Sequence, residues 1–164
     1  MKKLSVQQSK IEGKGIHVDE PVKKHEHIAY IQGTLKEKIS TSKADALSIP
    51  LWYGVSDILW IDPGTTIWRY FNHSCEPNCA IVGTKKVIAL KNIKKGTELT
   101  FDYSMTDGDL LWCMSCICQA KTCRKQIRSI QLIPQKTFEW HMPFIPSYFQ
   151  KLRKRYLQSA TMNV

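Results

Sequence analysis

Apolar and polar positions alternate over residues 97–103, Thr97-Glu98-Leu99-Thr100-Phe101-Asp102-Tyr103, as they do in a half-buried strand, and the alternation stops at a tyrosine. Short apolar runs bounded by turn residues recur before it. Gly13-Lys14-Gly15 leads into Ile16-His17-Val18, and Ile28-Ala29-Tyr30-Ile31 ends at Gly33. Trp52-Tyr53 and Ile58-Leu59-Trp60-Ile61 read as a hairpin joined through residues 54–57, followed by a turn at Asp62-Pro63-Gly64. Val87-Ile88-Ala89-Leu90 predicts a buried strand and residues 91–96 a turn. Helical patterning is scarce. A short helix is predicted through Ala44-Asp45-Ala46-Leu47, ended by Pro50. A longer one is predicted over 146–158, where Tyr148, Phe149, Leu152, Tyr156 and Leu157 recur at three and four and leave Lys151, Arg153, Lys154 and Arg155 as the wet face. The pattern predicts a mainly β fold of several small sheets with short helices and a C-terminal amphipathic helix.

Between the predicted strands lies a run that fits neither period: Arg69-Tyr70-Phe71-Asn72-His73-Ser74-Cys75-Glu76-Pro77-Asn78. It crowds an Arg, two Asn, a His, a Cys and a Pro together, too polar for a core strand, and reads as a binding loop. Composition adds bounds. At 164 residues the chain fits one domain with its own core, and its 43% apolar and 23% charged residues are ordinary for a soluble protein. No apolar stretch approaches a membrane span, and the basic start Met1-Lys2-Lys3 continues into polar residues without the apolar core of a secretory signal. The net charge of +10 is uneven: residues 1–119 carry 15 Lys+Arg against 13 Asp+Glu, residues 120–164 carry 9 against 1. That excess suits nucleic acid or simply a solvated helix face. Six cysteines without an export signal point to thiols or a metal rather than a disulfide framework.

The loop Asn72-His73-Ser74-Cys75-Glu76-Pro77-Asn78 and the run Glu98-Leu99-Thr100-Phe101-Asp102-Tyr103 resemble the signature of the SET-domain protein lysine methyltransferases, in which the two segments cross in a knot-like substructure. Cys116-Ile117-Cys118-Gln119-Ala120-Lys121-Thr122-Cys123 has the Cys-x-Cys-x4-Cys spacing of that family's post-SET zinc motif. The resemblance implies a SET domain over 1–110, a post-SET zinc segment over 111–130 and a basic extension over 131–164. It also implies a small family member, of bacterial or viral type among the alternatives. By the same resemblance, Lys14, Gly15 and Ile16 hold the amino-acid end of S-adenosylmethionine, Asn72 and His73 its adenine and ribose side, and Arg69 its polar rim. A loop histidine tied to backbone is the alternative for His73. Tyr30, in Tyr30-Ile31-Gln32-Gly33, corresponds to a channel tyrosine, although the family's flanking acids are replaced here by Ala29 and Thr34. A sheet tyrosine with a satisfied hydroxyl is the competing reading.

Three thiolates within eight residues leave a tetrahedral zinc one ligand short. In the family the fourth is the loop cysteine, here Cys75, so the implied set is Cys75, Cys116, Cys118 and Cys123, with Cys79 and Cys113 left as free thiols. The family usually continues with glycine and an aromatic that covers the cofactor. This chain reads Arg124-Lys125-Gln126-Ile127, and Phe138, Trp140 and Phe144 are the aromatics that follow.

The implied activity is transfer of methyl groups from S-adenosylmethionine to a lysine amine. Tyr103 is the catalytic hydroxyl, Tyr30 and Phe101 line the substrate channel beside it, and a phenylalanine at 101 leaves room for di- or trimethylation. The implied substrate is a histone tail or a non-histone protein, with weak nucleic-acid contact through the basic C-terminus and no membrane partner. The setting is cytoplasmic or nuclear, or a host cell if the source is bacterial. The competing class is a non-catalytic SET-like module whose basic tail docks on nucleic acid or chromatin.

Overall fold

The computed structural model describes residues 1–37, 53–56 and 58–162. Among these, ten short strands form four small antiparallel sheets. Strands β1 (Leu4–Gln8) and β2 (Lys14–Val18) pair with Val6 opposite Ile16. β3 (His27–Tyr30), β7 (Cys79–Val82) and β8 (Lys86–Ala89) make a second sheet in the order β3-β8-β7. β4 (Thr34–Glu37), β5 (Tyr53–Gly54) and β6 (Leu59–Asp62) make a third in the order β4-β6-β5. The predicted 52–61 hairpin is the β5–β6 part of it. β9 (Cys113–Ser115) and β10 (Gln126–Arg128) pair near the C-terminal end. The predicted helix at 44–47 lies outside the described residues, and among those described no helix is long and apolar enough to cross a membrane.

Residues 97–103 correct the sequence-based expectation of a sheet strand. They run extended but touch their neighbours only through isolated bridges, antiparallel from Glu98 to His17 and parallel from Phe101 to His73. The physical reason is the company they keep. One flank bonds to β2, with Leu99 N–H donating to the Ile16 carbonyl at 2.7 Å. The other meets the polar loop, where Phe101 N–H donates to the Asn72 carbonyl at 3.2 Å and Ser74 N–H to the Phe101 carbonyl at 3.1 Å. The chain is threaded between a strand and a loop, and Tyr103 opens a 3-10 turn, Tyr103–Thr106, rather than closing a strand.

The alternation still sorts the side chains. Leu99 and Phe101 enter the main core with Ile16, Val18, Tyr53, Trp68, Phe71 and Val87. A second core forms under the C-terminal helices α1 (Gln135–His141) and α2 (Ser147–Met162), from Met105, Ile130, Ile133, Ile145 and Phe149. Burying Phe149 completely stabilises this layer by about 1.5–3 kcal/mol. Gly54 and Gly108 let α2 come close: a Cβ on Gly54 would stand 2.8 Å from the Phe149 ring, and one on Gly108 2.6 Å from Leu152. One expected wet-face residue is instead buried. Arg153 donates to the carbonyls of Ile130 at 2.7 Å and Gln131 at 3.1 Å, with its guanidinium 4.8 Å from the Phe138 ring. A charged fork that turns inward to two backbone carbonyls keeps its donors paired in the interior.

Candidate active site

The threaded segment is held by amide side chains. Asn78, buried in the loop, accepts from Thr100 N–H at 2.9 Å and donates to the Glu98 carbonyl at 2.7 Å, a two-point clamp on an extended backbone. Asn72 donates to the Lys14 carbonyl at 3.0 Å and to Glu98 Oε1 at 2.8 Å, tying the loop to the Gly-x-Gly turn. Glu98 also accepts from Ser9 Oγ at 2.8 Å. It lies so close under β2 that a Cβ on Gly15 would fall 2.2 Å from its carboxylate, so the glycine is required by approach rather than by backbone angle.

The carbonyls of the predicted cofactor turn therefore have partners in the protein: Lys14 from Asn72, Gly15 from His17 Nδ1 at 3.2 Å, Ile16 from Leu99 N–H. The Ile16 side chain is fully buried. Lys14 and Arg69 present their cations at 5.6 Å from opposite ends of the motif to one ring, that of Tyr70.

A cleft opens where Ile11 and Glu12, the Asn72-His73 pair and Tyr103 face the β9–β10 segment, which contributes Met114, Ile117 and Ile127. Tyr103 donates its hydroxyl to the Phe71 carbonyl at 3.0 Å, and its ring stands between His73 (5.2 Å, edge-on) and Phe101 (4.9 Å). Burial first, then the negative charges of Glu12 and Glu98, push the phenol well above its ordinary pKa, so it keeps its proton. Phe101 continues the aromatic stack to Phe71 at 4.6 Å and Tyr53 at 5.6 Å. Tyr53, buried with its hydroxyl on the Trp68 carbonyl, is the tyrosine that the fold brings beside Phe101. Tyr30 is not brought there. It is 47% exposed on β3, against His27 at 4.6 Å, because it follows the buried pair Ile28-Ala29 on the outward side of that strand. The aromatics that follow the cysteine motif also lie elsewhere: Phe138 under Arg153, Phe144 beside His25, and Trp140 56% exposed. The cleft wall on that side is aliphatic and thioether.

Five soft donors converge below the cleft. His73 Nε2 and the thiols of Cys75, Cys116 and Cys118 lie within 4.8 Å of one another, and Cys75 Sγ is 3.7 Å from Cys116 Sγ. Thiolates bound at about 2.3 Å to a tetrahedral zinc stand about 3.8 Å apart, so the cluster fits such an ion. Cys123 packs into the same cluster, with its thiol 3.8 Å from the Cys116 carbonyl. The tight four-donor set thus contains His73 where the sequence reading has Cys123. Burial opposes ionisation of Cys118, but amide donors at Cys75 and Ala120 outweigh it and bring this thiol down to about 7. Burial holds His73 down to about 4, keeping the ring neutral, and Tyr103 N–H donates to its Nδ1 at 3.2 Å. Cys79 and Cys113 stand outside the cluster.

One residue within the motif went unassigned in the sequence reading. Asp102 is buried and accepts from Arg124 Nη2 at 2.7 Å, while His141 Nε2 lies 3.4 Å and His73 Nδ1 3.6 Å from its carboxylate. Burial alone would raise its pKa; His141 and Arg124 overcome this and hold it well below the usual carboxylate range. Three segments far apart in sequence meet on it. An acid at a polar position of the alternating run, between two aromatics, was the available signal, but its partners could not be read without the fold. Asp102→Asn keeps the shape and strands the Arg124 charge in the interior. It is expected to cost about 3–5 kcal/mol, read as a fall in thermal midpoint of roughly 10 °C. A midpoint within a degree or two of the parent would show that the residue is dispensable.

Comparison with known proteins places this geometry. A family model described as SET domain matches residues 13–104. The histone-lysine N-methyltransferase trithorax of Drosophila virilis is 32% identical over 138 residues, which take in 76% of this chain and 4% of that protein. The probable histone-lysine N-methyltransferase set-23 of Caenorhabditis briggsae is 28% identical over 148 residues, 77% of this chain and 61% of that protein. This chain therefore spans less than two thirds of either relative's length. Among solved structures, KRYPTONITE in complex with mCHG DNA and SAH superposes with a TM-score of 0.59 at 23% identity, covering 76% of this chain and 29% of that one. The methyltransferase domain of human SETMAR gives 0.56 at 21% identity, covering 79% and 59%. At these identities the likeness is one of fold.

Proposed function

The chain belongs to the SET domain family and has its fold, and on that premise we propose that it transfers methyl groups from S-adenosylmethionine to the side-chain amine of lysine in a protein substrate. The observation that carries the reading is the Tyr103 phenol, protonated and fixed by the Phe71 carbonyl in a cleft shared with Asn72 and His73. S-adenosylmethionine supplies an electrophilic methyl on a sulfonium. The chain supplies alignment. A lysine with an ordinary pKa of about 10.4 has to lose its proton before its lone pair can attack, and the aromatic stack of Phe101, Tyr53 and Phe71 favours the neutral amine by desolvation. Tyr103 is the group we assign to the reacting amine, and Lys14, Gly15, Ile16, Arg69, Asn72 and His73 to the methyl donor. With the Lys14, Gly15 and Ile16 carbonyls already engaged, that turn acts through its shape and remaining amides. Tyr53 takes the channel role that the sequence reading gave Tyr30.

The thiolates of Cys75, Cys116 and Cys118 would hold a zinc ion, with Cys123 as the fourth ligand, since Tyr103 N–H on Nδ1 leaves the proton of the neutral His73 ring on Nε2, the atom that faces the thiols. Such an ion would be structural, closing the β9–β10 segment against the cofactor loop. The named histone-lysine activity of the relatives supports a histone tail as substrate. The setting proposed with it is the nucleus or cytoplasm, or a host cell if the source is bacterial.

The test is incubation of the protein with labelled S-adenosylmethionine, core histones and nucleosomes, followed by mapping of the label. Label on lysine supports the reading. Donor bound without any label on histones, nucleosomes or a source-cell extract would leave a binding module in its place. Phe101→Tyr adds a hydroxyl to the channel, and it is expected to shift exhaustive products toward monomethyl-lysine, as read by mass spectrometry; an unchanged distribution would remove Phe101 from the channel.

A further inference from the structure

Positive charge on α2 has no internal explanation. The helix contains no acidic residue, and Lys151, Lys154 and Arg155 are exposed at i, i+3 and i+4, so no pair along it neutralises them. Like charges at i and i+4 cost a helix stability rather than adding to it. They also lie mid-helix, too far from the C-terminus to complement its dipole. Among the described residues none of the three forms an ion pair.

Arg153 is the exception on this helix: it turns inward to the carbonyls of Ile130 and Gln131 and to Gln135 Oε1 at 3.2 Å, and adds nothing to the outer face. Elsewhere in the basic C-terminal stretch, Arg128 and Lys136 are also exposed. The sole carboxylate of residues 120–164, Glu139, is occupied by Gln135 Nε2 at 2.9 Å.

We propose that the outer face of α2 is a docking surface for duplex nucleic acid, bound through its phosphates. Charge density favours that occupant. Lys151 to Arg155 spans about 6 Å of helix, and one strand of duplex DNA carries one charge per ~3.4 Å of axis, so the three cations meet about two phosphates of the strand they follow and reach a third beside them. A membrane surface would need an apolar face to insert; Phe149 and Leu152 of α2 are spent on Met105, Ile130 and Ile133, and Leu157, 42% exposed, is too little on its own to make one. The proposal stands apart from the methyl-transfer reading, because binding is measured without methyl donor.

The experiment is a titration of the whole chain with a mixed-sequence duplex of about 30 base pairs, over salt from about 50 to 200 mM. The logarithm of affinity is expected to fall against that of salt with a slope of about −2 to −3, at ~0.9 per phosphate neutralised. The triple variant Lys151→Glu, Lys154→Glu, Arg155→Glu is expected to lose at least tenfold in affinity and most of that slope. The corresponding glutamine triple should lose less, with the thermal midpoint of both near the parent's because all three side chains are exposed. A slope near zero, or a glutamate triple that binds like the parent, overturns the proposal. So does binding to phosphatidylserine vesicles that matches or exceeds binding to the duplex, which would make the face a membrane contact instead.

Discussion

Tyr103→Phe is expected to lower the rate of methyl transfer about 100- to 1,000-fold while leaving S-adenosylmethionine affinity within a few-fold of the parent. The ring stays in place, since His73 and Phe101 hold it by edge and tilted contacts rather than through the hydroxyl. What goes is one preorganised dipole, whose oxygen is left as an acceptor because its proton is donated to the Phe71 carbonyl, and removal of one preorganised polar group costs about 10²–10³ in turnover elsewhere. The Phe71 carbonyl loses its partner in the same change, a cost of roughly 1–3 kcal/mol paid in stability. The two losses separate by measurement. Single-turnover rates with donor binding by calorimetry report the chemistry, and a thermal melt reports the carbonyl. Turnover within threefold of the parent would take the phenol out of the reaction.

Zinc removal is expected to have the largest effect on the structure. Free energies for structural zinc in small peptides are about 10–16 kcal/mol. Here the metal would be shared between a loop anchored in the main core and a segment whose own sheet is two short strands, so its loss falls mainly on residues 113–128. Metal analysis should find one zinc per chain in the parent and none in Cys116→Ser or Cys118→Ser, with a strong chelator reproducing the variants. Both are expected to lose donor binding by more than tenfold, because Met114, Ile117 and Ile127 leave the cleft with the segment. The fourth ligand is decided by one pair. Cys123→Ser is expected to empty the site and His73→Ala to keep the ion; the reverse would move the histidine into the coordination shell. Zinc absent from the parent would return the cluster to free thiols.

Most of the site was legible because its chemistry is local in sequence. The Asn-His-Ser-Cys loop, the Phe-Asp-Tyr run and the cysteine spacing each occupy fewer than about ten residues, and the fold brings Asn72, His73, Tyr103 and the thiols together. The small-sheet architecture was legible for the same reason, as period-two runs cut by turn residues. What escaped depends on distance in sequence. Tyr30 and Tyr53 each sit in a short apolar run beside a glycine, and only the packing of β5 against the Phe101 ring tells them apart. Residues 97–103 alternate as a strand does, but alternation reports which side chains are buried and not what pairs with the backbone. Arg153 matched the polar side of its helix by period, and its burial follows from two carbonyls in a different segment.

The meeting of three segments on Asp102 also sets an order of events during synthesis. Asp102 precedes Arg124 by 22 residues and His141 by 39, so the growing chain holds a carboxylate destined for the interior before both of these partners can reach it. Closing the thread into its core at that stage would bury an unpaired charge, which is unfavourable. Tyr103, its immediate neighbour, is therefore expected to settle only after Arg124 and His141 have been made, and the thread to be among the last parts of the molecule to reach its final shape.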